Sequence, residues 1–352
     1  MRITNSMIVN NFMRNLNSNL VKMDGFQNKL ATGRKFANIS DDPSALIYSQ
    51  SARNNIARLS HYERAVTTAQ DWLEQVETGI MQLQNTLADA YVETVNAATD
   101  VKTAADRQNI GAVIGQLRDH SINILNTTFG DKYIFGSYNT PGDSNTGEIT
   151  GPFVVDGSGN LTYNGLNLSQ FDGMDFDDFV RITNPNNLST LTDPDEISLN
   201  ILMNDLLTFD VGPSISMPVT MTGIDLMFFQ TTDENGNIIM RNSFNVLSEL
   251  YDASMKPNST ALDVNVYIRP LLDGQSHLLT KTAEIGGRTR RLELIAARYE
   301  QDTINYNRMK SDAEDVDFAE VIIHQKMAEA VYQAALSTGA RIIQPTLMDF
   351  LR

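Results

Sequence analysis

The stretch LATGRKFANISDDPSALIYSQ, residues 30–50, separates two runs of regularly spaced apolar residues. Gly33 is of the type that ends helices in the left-handed conformation. Residues 40–42, Ser-Asp-Asp, are types that cap helices, and Pro43 suits a first helical turn because it has no N–H to leave unpaired. The sequence therefore predicts that a short helix ends near Gly33 and a longer one begins at Pro43.

The N-terminal arm, which precedes Gly33, carries apolar residues spaced alternately three and four apart, as in a coiled-coil heptad. They are Val9, Met13, Leu16, Leu20, Met23 and Leu30, with Gln27 filling the one gap. The other faces are rich in Asn, a mediocre helix former, and a lone helix of about 22 residues needs a packing partner in water. We therefore expect the arm to be marginal alone and to need a packing partner.

The second helix has the strongest periodicity in the chain. Between Ala45 and Ala90 the three-four alternation is strict, and Asn55 is its only member that is neither apolar nor aromatic. A helix from Pro43 to about Ala104 would be about 90 Å long at 1.5 Å per residue. Such a rod is unusual in a compact enzyme. Trp72, the single Trp, lies beside this row and is predicted to pack there.

The middle of the chain changes character after a third predicted helix at about 106–126. Short strand-like runs separated by turn residues dominate residues 141–242: PFVVDG, NLTYNG, DFVRIT, SISMPVTMTG and NIIMRN. This segment has fifteen acidic residues against two basic ones and six of the ten prolines. It is predicted to be a small acidic β-rich insert between nearly neutral ends.

Helical patterns return after residue 243, first in FNVLSELYDAS, then in a long helix at about 271–310, and last in a helix that starts near Asp317. The last helix carries one apolar row of Phe318, Ile322, Tyr332, Leu336 and Ile343. The predicted fold is mainly α with a β-rich insert: long coiled-coil-like helical rods run from both chain ends to a small outer β domain. The predicted segments are an arm at 1–42, a rod with a hairpin at 43–140, the insert at 141–242, a returning rod at 243–316 and a second arm at 317–352.

Composition excludes several classes of protein. A net charge of −16 argues against nucleic acid as a partner, and no apolar run is long enough to span a bilayer. The absence of cysteine excludes disulfides, thiolate metal sites and a Cys nucleophile. The N-terminus lacks the continuous apolar centre of a secretory signal peptide, so the ordinary route leaves the protein in the cytoplasm.

No catalytic or cofactor site is evident, and the sequence predicts that the protein is not an enzyme. The four histidines are scattered, without a second His or a Glu at metal-ligand spacing. Four Asp residues in FDGMDFDDF (171–179), and the run DENGNI from Asp233, can be a Ca²⁺ site or solvated turns; turns are favoured because EF-hand spacing is absent.

The opening stretch resembles the N-terminal motif of the bacterial flagellin superfamily, in which a Leu-x-x-Gly-x-(Lys/Arg) run precedes an Asp-Asp-(Pro/Ala) helix start. Residues 69–87, AQDWLEQVETGIMQLQNTL, resemble the rod of the same family. Residues 126–140, NTTFGDKYIFGSYNT, resemble the segment that distinguishes its hook–filament junction members from flagellin. The C-terminal SDAEDVDFAEVI and YQAALSTGARIIQPTLMDFLR agree, although Pro345 falls where the terminal helix is expected to continue.

The resemblance implies a structural protein that adapts the flagellar hook to the filament, with flagellin itself as the alternative function. It implies self-association in a tube, the first hook-associated protein on the hook side, flagellin on the filament side, and a flagellar export chaperone. It also implies export by the flagellar type III apparatus to an extracellular site without signal cleavage. The arms would lack a partner in the single chain and would form the inner layer only in the assembled tube. The assembly residues are Val9, Met13, Leu16, Leu20, Met23, Leu30, Phe318, Ile322, Tyr332, Leu336 and Ile343. Neither a cofactor nor a metal is implied.

Overall fold

A computed structural model describes the chain over residues 5–36, 38, 40–136, 151–233 and 235–343. The helices are α1 (Asn5–Thr32), α2 (Pro43–Ala97), α3 (Ala104–Leu125), α4 (Phe176–Thr183), α5 (Pro194–Asn204), α6 (Gly223–Met227), α7 (Ser243–Met255), α8 (Ala261–Asn265), α9 (Ile268–Glu314) and α10 (Phe318–Ile343). The strands are β1 (Thr128–Phe129), β2 (Lys132–Tyr133), β3 (Phe153–Val155), β4 (Leu161–Tyr163), β5 (Leu166–Asn167), β6 (Thr208–Gly212), β7 (Ile215–Pro218), β8 (Phe228–Thr232) and β9 (Ile238–Asn242). Long helices from both ends of the chain and small antiparallel sheets confirm the predicted fold class.

The break between the first two helices lies where the sequence places it. Gly33 has a φ of +70°, and its N–H donates to the Lys29 carbonyl at 2.9 Å, which ends α1. Asp42 begins α2, because its Oδ1 accepts from the N–H of Ala45 at 3.0 Å. Among the three candidate caps at 40–42, Asp42 therefore caps the helix.

The helix α2 is shorter than predicted and ends at Ala97 instead of near Ala104. Thr103 starts a new helix there, since its hydroxyl accepts from the N–H of Asp106 while Asp106 accepts from the N–H of Thr103. The sequence does not show this capping box, because the helical patterns of α2 and α3 follow each other with almost no gap. The predicted α2 therefore runs through residues 98–103, which in the structure connect the two helices.

The contacts divide the chain into two compact units. The first comprises residues 1–61 and 298–352, and the second comprises residues 62–297. The strand-rich residues 151–242 belong to the second unit together with parts of both long helices. This division is coarser than the five segments of the sequence analysis, which stay predictions.

The second unit has a core built on apolar rows of its two long helices, of which the α2 row is the predicted one. In α2 the row from Val66 onward is buried: Val66, Ala69, Leu73, Val76, Ile80, Leu83, Leu87 and Ala90. In α9 the buried residues recur every seven positions: Leu271, Leu278, Ile285 and Leu292. The two helices meet where the Gln275 side chain donates to the Leu87 carbonyl at 3.1 Å.

Helices α3 and α7 approach closely over two glycines four residues apart. A Cβ atom on Gly111 would lie 2.9 Å from the Ser254 Cβ, and one on Gly115 would lie 3.1 Å from the Tyr251 ring. Arg118 lies over the Tyr251 ring, with its guanidinium carbon 5.4 Å from the ring centroid. The glycines allow the helix backbones to approach, and the arginine covers the edge of the contact.

The segment after β2 links the strand-rich region to α2. The Phe135 side chain is fully buried against Gly79 of α2, where a Cβ would lie 2.7 Å from its ring. The Phe135 carbonyl accepts from the Tyr163 hydroxyl at 3.0 Å and from the Gly223 N–H at 3.1 Å. Phe135 thus contacts three segments of the second unit: α2 at Gly79, β4 at Tyr163 and the start of α6 at Gly223.

The strand-rich region contains more helix than its sequence suggests. Its sheets are the antiparallel β3–β4–β5 and the hairpins β6–β7 and β8–β9. The run DFVRIT, predicted as a strand, lies in α4. Asp175 caps this helix by accepting from the Asp177 N–H at 2.9 Å, and Phe179 and Ile182, three positions apart, are buried on one face. The cap overrides the β propensity of Phe, Val, Ile and Thr.

Candidate assembly interface

The two arms pack against each other within one chain, and α10 runs antiparallel to α1. The Phe26 and His324 rings stack with their centroids 5.7 Å apart, and the Asn19 side chain donates to the Ala328 carbonyl at 2.9 Å. Further along, the Phe12 ring lies against Gly339, where a Cβ would be 2.4 Å from it. The expectation that each arm lacks a partner in its own chain is therefore wrong.

The α1 face that meets α10 shares four of the six residues of the predicted row. Val9, Leu16, Met23 and Leu30 are half-buried on it, as predicted. The alternate positions are taken by Phe12, Asn19 and Phe26, which keep the same three-four spacing. Met13 and Leu20 are instead 47% and 40% exposed beside this face.

The α10 face that meets α1 is displaced from its predicted row in the same manner. The residues turned from solvent are Val321, Gln325, Ala328, Tyr332, Ala335 and Gly339. Tyr332 of the predicted row lies among them. Phe318, Ile322 and Leu336 are 52%, 46% and 45% exposed, and the Ile343 side chain lies outside the described part of the chain, as does Pro345.

The sequence analysis missed Phe12, Asn19, Phe26 and Gly339. Two heptad registers fit the spacing in α1 equally well: one includes Met13 and Leu20, and the other includes Phe12, Asn19 and Phe26. The first is favoured by the sequence because it leaves the polar Asn19 outside the apolar row. The size of the two Phe rings is the available signal, because aromatic side chains bury a large area and dominate packing energetics. The position of Gly339 could not be used without knowing that the arms pair.

Pairing leaves apolar rows uncovered on the arms. On α10, Ile323, Met327 and Val331 are 60%, 51% and 57% exposed and follow each other four residues apart, so they form one stripe. Phe318 and Ile322 start a second stripe on the other side of the buried face. Large apolar side chains lined up in this way are typical of a surface that another protein covers.

Two short connectors join the arms to the long helices: connector A is residues 33–42 and connector B is residues 315–317. The Lys35 N–H donates to the Glu314 carbonyl at 2.7 Å, and the Val316 N–H donates to the Gly33 carbonyl at 3.0 Å. Arg34 and Asp315 pair as an antiparallel bridge between these bonds. The roots of both arms are thus joined by main-chain hydrogen bonds.

The Glu314 carboxylate lies beneath these connectors with only 3% of its side chain exposed. Arg53 of α2 donates from Nε and Nη2 to its two oxygens, each at 2.6 Å, and the Ser49 hydroxyl donates to Oε1. The hydrogen bonds from Arg53, supported by the one from Ser49, lower the pKa of Glu314 to about 2. The carboxylate therefore stays ionised in all but strongly acidic solution.

The candidate chemical sites serve structural roles in the described residues. Asp233 accepts from the Asn237 N–H at 2.7 Å, as expected of a turn. Asp172 accepts from the Asn242 N–H at 2.5 Å, a contact between distant parts of the chain. Trp72 is buried edge-on against Phe129, with ring centroids 5.7 Å apart, which confirms its packing role. Within the described part of the chain, no group of three or more His, Asp or Glu residues is arranged to hold a metal ion. The described helices include none with the length and apolar character needed to cross a membrane.

Comparison with known proteins relates both the sequence and the fold to flagellar components. Residues 3–140 match the model of the bacterial flagellin N-terminal helical region. Flagellar hook-associated protein 3 of Escherichia coli is 29% identical over 145 residues, which are 40% of this chain and 44% of that protein. A flagellin of Clostridium tyrobutyricum is 30% identical over 137 residues, which are 36% of this chain and 34% of that protein. The chain thus spans less than half the length of the curated relatives it matches.

The fold likeness extends further than the sequence likeness. The flagellar junction protein FlgL from Legionella pneumophila superposes with a TM-score of 0.51 at 12% identity, and the match covers 77% of this chain and all of that one. The N-terminal family match, the hook-associated relative and this fold agree with one another. The N-terminal sequence is therefore similar to the helical region of bacterial flagellins, and the fold is similar to that of a flagellar junction protein.

Proposed function

We propose that this protein is a structural component of the bacterial flagellum that joins the hook to the flagellin filament. It acts by packing helices between subunits and catalyses no reaction. The observation that carries the proposal is the apolar surface that remains on α1 and α10 after they pair. Met13 and Leu20 on one helix, and the stripe Ile323, Met327 and Val331 on the other, are exposed in a single chain. Neighbouring copies in a tube would cover them.

The partners of this function follow from a junction position. Copies of the chain associate with each other, with the first hook-associated protein on one side and with flagellin on the other. Export through the flagellar type III apparatus, with a chaperone holding the arms beforehand, brings the protein to its extracellular site. The FlgL-type fold and the exposed arm residues support these assignments.

Electron microscopy of cells that lack this chain tests the proposal. We expect intact hooks that carry no filaments, with flagellin released into the medium. Normal filaments on those cells would contradict a junction role. The alternative, a flagellin, predicts that filaments contain this chain along their whole length, so immunogold labelling with an antibody to residues 151–233 separates the two functions.

A further inference from the structure

The two connectors and the base of α2 meet at one buried residue. Glu314 is the last residue of α9, so its position fixes where connector B leaves that helix. Its main-chain carbonyl bonds connector A through the Lys35 N–H, and its side chain bonds α2 through Arg53 and Ser49. Three segments that are distant in sequence therefore depend on Glu314.

We propose that Ser49, Arg53 and Glu314 form a latch that positions the roots of both arms, so that α1 and α10 enter assembly as one preset pair. The role of the latch in assembly rests on the proposed function. Its effect on the arm roots rests only on the contacts of Ser49, Arg53 and Glu314. Arg53 acts here as a positioning residue, since it bonds Glu314, which in turn bonds connector A.

The coupling has a direct physical cause. A buried carboxylate without a cationic partner is strongly disfavoured, so the loss of Arg53 drives the Glu314 side chain toward water. This movement turns the last residue of α9 and withdraws its carbonyl from the Lys35 N–H. The Val316 bond to Gly33 lies in the same bridge and weakens with it.

Other contacts near the connectors do not replace the latch. Lys35 Nζ donates to the Asp312 carbonyl at 2.7 Å from an exposed side chain, and the half-exposed Phe318 ring lies 3.6 Å from where a Cβ on Gly33 would be. Exposed contacts of this kind contribute little, because water competes for the same groups. The Arg53–Glu314 pair differs from them in its bidentate geometry and in the burial of the carboxylate.

Hydrogen exchange of the purified full-length chain tests the effect on the arm roots. Arg53→Ala and Glu314→Gln are each expected to speed exchange of the Lys35 and Val316 amides by about tenfold or more, with no change in the amides of α3 and α7. Arg53→Lys, which keeps the charge but not the bidentate geometry, is expected to fall between them and the wild type. The matched control is Arg58→Ala, since Arg58 is exposed on the same helix and its guanidinium donates to the Asn55 side chain of that helix.

The reversed pair Arg53→Glu with Glu314→Arg tests whether the two residues act together, and partial recovery of slow exchange is the expected result. Unchanged exchange in both Arg53→Ala and Glu314→Gln would overturn the latch.

In cells, Arg53→Ala is expected to reduce filament attachment while Arg58→Ala does not. If cells without the chain still bear filaments, the proposed function fails, whereas the exchange data still decide the latch.

Discussion

At the scale of single residues, some glycines in the long helices leave room for a neighbouring side chain and others have no neighbour, and substitution by Ala distinguishes the two kinds. Gly79 faces the buried Phe135 ring, whereas a Cβ on Gly286 of α9 would meet no atom within 4 Å. Both lie inside helices, where Gly costs about 0.5–1 kcal/mol relative to Ala. The environment of each position, more than the residue type, therefore decides the sign of the effect.

Gly79→Ala is expected to lower the free energy of unfolding by about 1–3 kcal/mol, because the new methyl group overlaps the Phe135 ring. Gly286→Ala is expected to raise it by about 0.5–1 kcal/mol by restricting the unfolded chain. Chemical denaturation monitored by circular dichroism measures both. An equal gain in stability from the two substitutions would show that Phe135 does not occupy the notch at Gly79.

The acid dependence of stability reports on Glu314. Its pKa is about 2 in the folded chain, below the ordinary value near 4.5, because of the hydrogen bonds from Arg53 and Ser49. The ion pair therefore stabilises the folded state fully above pH 4.5, and this contribution is lost as the pH falls from about 4.5 toward 2.

The stability difference between the wild type and Glu314→Gln is expected to be constant above about pH 5 and to shrink at lower pH. Denaturant titrations at pH values from 7 to 3 measure it. Glu293→Gln is the control, since Glu293 pairs with Arg290 on an exposed part of α9. A difference for Glu314→Gln that does not change with pH would contradict the assignment of the charge.

At the scale of elements, the pairing of the arms depends on the fit between Phe12 and Gly339. Gly339→Val is expected to separate α1 from α10 and to speed amide exchange in both helices, because any side chain at 339 overlaps the Phe12 ring. Gly25→Ala is the control, since a Cβ at Gly25 of α1 meets no atom within 4 Å. Exchange in α1 that is unaffected by Gly339→Val would contradict the pairing.

Helix type and position were largely predictable from the sequence, whereas partner choice was not. The seven-residue spacing of Leu271, Leu278, Ile285 and Leu292 identifies the buried side of α9 without knowledge of what covers it. The register of α1 could not be assigned in the same way, because it depends on Gly339, more than three hundred positions away. The strand prediction for residues 178–183 failed because the Asp175 cap outweighs the β propensity of the residues that follow.

The latch was also beyond the sequence. Ser49, Arg53 and Glu314 lie in helices whose charged residues are mostly solvated, and nothing in their spacing relates α2 to the end of α9. By spacing, a capping box at the start of the last helix can be formed by Ser311 with Glu314 or by Asp317 with Glu320. In the structure Ser311 and Glu314 belong to α9, and Asp317 caps α10 by accepting from the Ala319 N–H at 2.9 Å.

At the scale of the whole molecule, a junction role requires that the exposed apolar residues of α1 and α10 contact other subunits and do not stabilise the fold of the single chain. Leu20 and Ile322 are 40% and 46% exposed, so an aspartate at either position meets solvent in the single chain. Their substitution is therefore expected to spare the fold and to place an unpaired charge in the subunit interface. Val101 offers a matched control, since it is 90% exposed in the second unit and away from both arms in sequence.

The most direct measurement is electron microscopy of cells in which the chain is replaced by Leu20→Asp, by Ile322→Asp or by Val101→Asp, each shown by circular dichroism to keep its helix content. The account predicts bare hooks for the two arm variants and normal filaments for Val101→Asp. Normal filaments on cells that carry either arm variant would contradict it.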